Sequence, residues 1–200
     1  MIQMAKTIPF EIHLTIGTLH TIDEAAFIDC CKALGAKPLL IELSRGTYQQ
    51  QPMLSIVIYA NNFETVLSKA NELSRSLKDA NFNAKRLKIE VPAFHSELFS
   101  EWESAFDQYF EWHGKINYAG QKIDTLCQKH KVHLSVNSLK GAKEFRFITL
   151  REYGSKALFE NRVKGLLHDA QYENLLVHKQ QAEYCIYDNN SYLDEGWLPQ

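Results

Sequence analysis

Between Phe10 and Ile16 the chain reads Phe-Glu-Ile-His-Leu-Thr-Ile, an alternation with a period of two. In a strand this places Phe10, Ile12, Leu14 and Ile16 on one face and Glu11, His13 and Thr15 on the other. A helix follows: Thr21-Ile-Asp-Glu24 has the residues of a capping box, Phe27, Cys31 and Leu34 recur at helical spacing, and Gly35 suits a left-handed helix end. Pro38–Leu43 and Met53–Tyr59 read as two strands. The spacing of Val66, Ala70, Leu73 and Leu77 predicts a helix over 63–80. Arg86–Val91 alternates charged and apolar residues and stops at Pro92. The order is βαββαβ, that of a ferredoxin-like split unit.

The pattern then returns. Phe110-Glu-Trp-His-Gly-Lys-Ile116 matches the first strand at Phe, Glu, His and Ile. Ile123, Leu126, Cys127 and His130 mark a shorter helix, and Val132–Val136 and Phe145–Leu150 mark strands. The 157–170 segment is helical, with Val163, Leu166 and Leu167 inward, and its end, Leu-His-Asp-Ala-Gln-Tyr172, copies Leu-Lys-Asp-Ala-Asn-Phe82. Two matched anchors in the same order predict an internal repeat. The expected architecture is α+β: a tandem duplication of a ferredoxin-like βαββαβ unit, with antiparallel sheets and helices on one face. The units would span 1–92 and 109–200. Between them, 93–108 reads as an amphipathic connector carrying Leu98, Trp102 and Ala105 or Phe106 on an acidic background. The segment 188–197 has turn composition, with Tyr192 and Trp197 as aromatic anchors for a docked tail.

Composition narrows the function classes. A formal net charge of −2 over 200 residues offers no general field for a polyanion, so nucleic acid is not the expected partner. No apolar run is long enough to span a bilayer and the first residues lack a signal-peptide pattern, so the expected setting is cytoplasmic, with no membrane partner. The four cysteines, Cys30, Cys31, Cys127 and Cys185, form no Cys-x-x-Cys pair and read as free thiols.

Helices covering one sheet face leave the other alternation set for chemistry. By period that set holds Glu11, His13, Thr15, Glu42, Ser55, Arg86, Lys88 and Glu90. In the second half it holds Glu111, His113, Lys115, His133, Ser135, Asn137, Lys179 and Gln181. Such a surface suits a small polar or anionic ligand, with cations neutralising charge and imidazoles able to transfer protons. The strongest catalytic candidates are His13, His113 and His133. Lys115, Ser135, Arg146, Arg151 and Glu111 are the ligand-binding candidates. No cofactor and no metal centre is expected, because His130-x-x-His133 spans a helix end and a strand with no clear third ligand. Burial of the same face between the halves or in self-association is the non-catalytic alternative.

Two short resemblances bear on function. His13-Leu-Thr-Ile16 and His133-Leu-Ser-Val136 resemble the His-x-Thr/Ser-x segments of two-histidine phosphoesterases. That resemblance implies one imidazole as base and one as acid, acting on 2′,3′-cyclic or 2′,5′ linkages derived from RNA. The two segments fall on different strands of their repeats, however, and the repeat partner of His13 is His113. Lys143-Glu-Phe-Arg-Phe-Ile-Thr-Leu150 is similar to the octapeptide of RNA-recognition motifs, which implies base stacking on Phe145 and Phe147. Glu144 and Arg146 stand where that pattern has glycines.

Overall fold

A computed structural model describes residues 3–100, 107–140 and 144–197, with backbone alone at 3–5 and 140. The strands are β1 (Gln3–Ile16), β2 (Lys37–Leu43), β3 (Gln50–Asn62), β4 (Ala84–Pro92), β5 (Tyr109–Asn117), β6 (His133–Asn137), β7 (Phe145–Glu152) and β8 (Val177–Asp188). The α-helices are α1 (Glu24–Ala33), α2 (Phe63–Asp79), α3 (Gln121–His130) and α4 (Lys156–Tyr172). The protein is thus α+β, and its antiparallel strands close into one barrel in the order β1-β3-β2-β6-β7-β5-β8-β4. The halves meet edge to edge at two seams, β2 with β6 and β4 with β8. Closure leaves no unpaired sheet edge among the described residues.

The alternation decides what faces where. Phe10, Ile12, Leu14 and Ile16 of β1 point outward and pack with Phe27 and Cys31 of α1 and Val66, Ala70, Leu73 and Leu77 of α2. On the opposite side, Trp112, Ile116, Ile148 and Leu150 pack with Ile123 and Leu126 of α3 and Phe159 and Leu166 of α4. The hydrophobic cores therefore lie between barrel and helices, and most of the polar set is turned into the lumen.

Local signals act largely as their chemistry dictates. Asn62 caps α2 by accepting from the Thr65 N–H at 2.8 Å, and Ser155 caps α4 by accepting from Leu158 N–H. Gly35 adopts φ +69°, the left-handed conformation expected after α1. The capping box at 21–24 does not form. The chain enters α1 through a 3-10 turn at Thr21–Asp23 in which Asp23 N–H donates to His20 O, and no side chain caps it. Of the connector, Ala93–Phe99 forms 3-10 helix with Phe99 buried against Phe10; Trp102, Ala105 and Phe106 lie outside the described residues.

One position tests the packing logic. Where the first half has Ile12 and Leu14, the second has Trp112 and Gly114, and a Cβ at 114 would overlap the Trp112 ring. A large ring beside an absent side chain fills the same outward layer as two aliphatic residues. Gly114→Ala is expected to lower unfolding free energy by about 1–3 kcal/mol through overpacking. In a Trp112→Ile background the same change should cost little. Urea denaturation of the four proteins checks this, and equal losses in both backgrounds would contradict it.

Candidate functional site: the barrel lumen

The polar faces enclose a cavity of about 450 Å³. The strand registers give it two ends. At one end lie Thr15, Arg86, Arg151, Gln51 and Leu43, and here the C-terminal segment folds into the opening. Trp197 packs on Leu43 and Ile41 and donates its indole N–H to Leu134 O at 3.3 Å. At the other end lie Lys37, Lys115, Lys179, Asn137 and Phe147.

The tail end is a floor of paired charges. Asp194, from the tail, accepts from Arg86 (3.0 and 2.9 Å), Arg151 (2.7 Å) and Gln51 (3.0 Å). Arg86 also grips Asp188 through Nε at 2.8 Å and a terminal nitrogen at 2.5 Å, and Tyr109 OH donates to the same carboxylate at 2.6 Å. Glu111 accepts from Arg151 Nε at 2.7 Å and from Lys88. Burial opposes ionisation throughout this floor. Even so, Arg151 and Arg86 hold Asp194 down at about 2, and Arg151 and Lys88 hold Glu111 well below the usual carboxylate range.

Above this floor one constellation occurs twice. His13 Nε2 stands 3.6 Å from Glu11 and 3.1 Å from Glu90. His113 Nε2 stands 3.4 Å from Glu111 and 3.8 Å from Glu183. The registers explain the match: Glu11 lies opposite Glu90 on the neighbouring strand, and Glu111 lies opposite Glu183. The two constellations meet, since one ligand atom each of Glu90, His113 and Glu183 lie within 4.8 Å of one another. Gln181 joins them from the side, donating to Glu183 at 2.7 Å and to Glu11 at 3.2 Å. Burial, together with the charges of Glu90 and Glu11, pushes the Glu183 carboxyl well above the usual carboxylate range.

The opposite end differs in charge and pairing. Among the described residues Lys37, Lys115 and Lys179 form no ion pair, whereas Arg86, Lys88 and Arg151 all do. Lys115 Nζ lies over the Phe145 ring at 3.7 Å, and Lys37 and Lys179 are exposed.

Of the residues singled out by sequence, His13, His113, Glu111, Lys115, Ser135 and Arg151 all line the lumen. His133 does not line it. It is buried at the tail end, held by Arg45 at 2.7 Å, with its ring edge-on to Trp197. Arg146 lies outside the lumen, with its guanidinium 4.4 Å from the centre of the Tyr118 ring. Glu42 is likewise turned to solvent, because the inward positions of β2 are Leu39, Ile41 and Leu43, the last two of which receive Trp197. Phe147 faces the lumen. His130 and His133 separate, His130 going to Asp169 at 2.7 Å. Cys127 is buried, and burial, with Asp124 adding, pushes its thiol up to about 12, which disfavours a thiolate nucleophile.

Glu183, Asp188 and Asp194 were absent from the sequence-derived set. Glu183 continues the alternation of Lys179 and Gln181, so period alone would have reached it. Asp194 sits in a tail without periodicity and carries no such signal. Comparison with protein-family models finds no family that matches this chain, and no curated protein matches it.

The His133 environment gives a pH test. Burial first, and then Arg45 and Arg151, lower its pKa to about 4 from the usual 6.5. Between these values the unfolded chain binds the extra proton and the folded one does not, so stability falls as pH drops from about 6.5 to 4. The full contribution is on the order of 3 kcal/mol. His133→Gln should flatten this part of the stability profile relative to the wild type in urea melts at stepped pH; parallel profiles would contradict the assignment.

Proposed function

We propose that this protein binds a small polar ligand bearing an anionic group, such as a carboxylate or phosphate, inside the barrel, with the anion held at the open end by Lys37, Lys115 and Lys179. The observation that carries this reading is the contrast in pairing. Every deep cation is satisfied by a carboxylate, while the three lysines of the open end have no carboxylate partner among the described residues. An anion entering from this side meets unpaired positive charge first, and Phe147 and Asn137 beside it supply an apolar wall and an amide. A cavity of about 450 Å³ fits a metabolite-sized molecule.

The same reading accounts for the repeat. We take the chain as two ferredoxin-like βαββαβ units in tandem. Within the barrel, β4-β1-β3-β2 and β8-β5-β7-β6 have the same order, and Glu11 and His13 correspond to Glu111 and His113. Two polar sheet faces joined at both edges supply a lumen that neither unit has alone. A closed lumen also favours a small ligand over a strand of bases, which needs an open sheet face. Among the described residues no helix is long and apolar enough to cross a membrane.

Inorganic phosphate and pyrophosphate are the first probes, titrated calorimetrically into the full chain. Saturable binding that weakens with salt and falls at least tenfold in a Lys37→Ala/Lys115→Ala/Lys179→Ala variant is the expected result. Absence of binding by either probe, or equal affinity in the variant, would count against the open end as an anion site.

A further inference from the structure

The structure assigns, we infer, a divalent-cation site to the place where the two Glu-His-Glu constellations meet, with Glu90, His113 and Glu183 as protein ligands. Donor atoms of the three residues lie within 4.8 Å of one another, close enough for modest side-chain rotation to bring them around a single ion. His113 is oriented for this role. Its Nδ1 engages Thr149 Oγ1 at 3.0 Å, which turns Nε2 toward Glu111 and Glu183. Partners of this kind are what fix a ligating imidazole.

Two further observations concern the charge around this place. The deeper lumen sets six carboxylates (Glu11, Glu90, Glu111, Glu183, Asp188 and Asp194) against three cations, Arg86, Lys88 and Arg151. In addition, the Glu90 carboxylate is 1% exposed and its Oε1 receives no hydrogen bond. Lys88 Nζ approaches that oxygen at 2.7 Å as a neighbouring charge, but its directed hydrogen bond goes to Glu111. The buried Nδ1 of neighbouring His13 is likewise without a partner. Glu90 Oε1, ion-paired with Lys88 but without a directed hydrogen bond, keeps lone-pair capacity for a cation. Glu90 and Glu183 each offer a carboxylate lone pair to the metal, and His113 offers that of its Nε2. Two carboxylates and one imidazole suit Mn²⁺ or Zn²⁺ better than Ca²⁺ or Mg²⁺, which favour all-oxygen sites.

The test uses the full chain, treated with chelator and titrated with MnCl₂, ZnCl₂ and MgCl₂ separately. One saturable site for Mn²⁺ or Zn²⁺ is expected, tighter than for Mg²⁺. Glu183→Gln and His113→Asn should each weaken the affinity at least tenfold. Independently of any variant, substoichiometric Mn²⁺ should broaden the imidazole resonances of His13 and His113 before that of His168, which lies on α4 beside Asp169. No saturable binding, unchanged affinity in both variants, or broadening led by His168 would each overturn the site. Because the metal is titrated alone, these outcomes leave the lysine anion site to be judged on its own experiment.

Discussion

A closed lumen lined by ionisable side chains must neutralise its own charge, and the rest of this structure is arranged around that constraint. Glu111 is the clearest instance. It is 1% exposed and stays ionised because Arg151 and Lys88 both reach it, with His113 alongside. Arg151 in turn needs Asp194, Asp194 needs Arg86, and Arg86 needs Asp188. Residues from β4, β5, β7, β8 and the tail are thus joined in one chain of charge pairs across the barrel. Leaving any one member buried without its partner costs more than the pair contributes when intact. This explains why the tail is part of the barrel: it delivers Asp194 between two arginines that otherwise have one carboxylate partner each, Asp188 for Arg86 and Glu111 for Arg151.

Covering one end in this way makes the lumen polar in the directional sense. The tail end spends its cations on internal carboxylates, and the lysine end does not. The two halves enter the centre alike, each bringing a histidine flanked by two glutamates, and they depart from each other at the ends. Thr15 of β1 stands at the position that Lys115 holds in β5 when Phe10–Ile16 is aligned with Phe110–Ile116, so the matched pattern carries a hydrogen-bonding residue beside the tail in one half and a cation at the open end in the other. The asymmetry gives one lumen two chemistries, a cationic entrance and a carboxylate-imidazole interior.

Much of this was legible in the sequence, for a simple reason. A period of two has only two outcomes, so once Phe10, Ile12 and Leu14 are assigned to a core, Glu11 and His13 must share the other face. The strands, the helices with strong stripes and most lumen residues follow from that. What period could not supply was closure. Whether two polar sheet faces stay open or roll into one barrel depends on the seams β2–β6 and β4–β8, which join residues far apart in sequence. The misplaced residues follow from the same gap. Glu42 was placed on the polar face by period, but Ile41 and Leu43 turn inward to receive Trp197 and leave Glu42 outside. His133 has the correct phase yet lies where the tail covers it. Arg146 alternates outward once Phe147 and Arg151 are fixed inward. Asp194 ends the short 3-10 turn Ser191–Asp194, where too few residues repeat for periodicity to report direction.

The account stands on the claim that the lumen is held together by mutually dependent buried charges, with Glu111 at their centre. The most direct measurement is the unfolding free energy of Glu111→Gln by urea at neutral pH. The substitution preserves shape while leaving Lys88 and Arg151 short of a carboxylate. A loss of about 3–5 kcal/mol is predicted, the size associated with stranding a buried charge. A loss below about 1 kcal/mol would mean that the charges are individually solvated, and would contradict the closed, self-neutralising lumen described here.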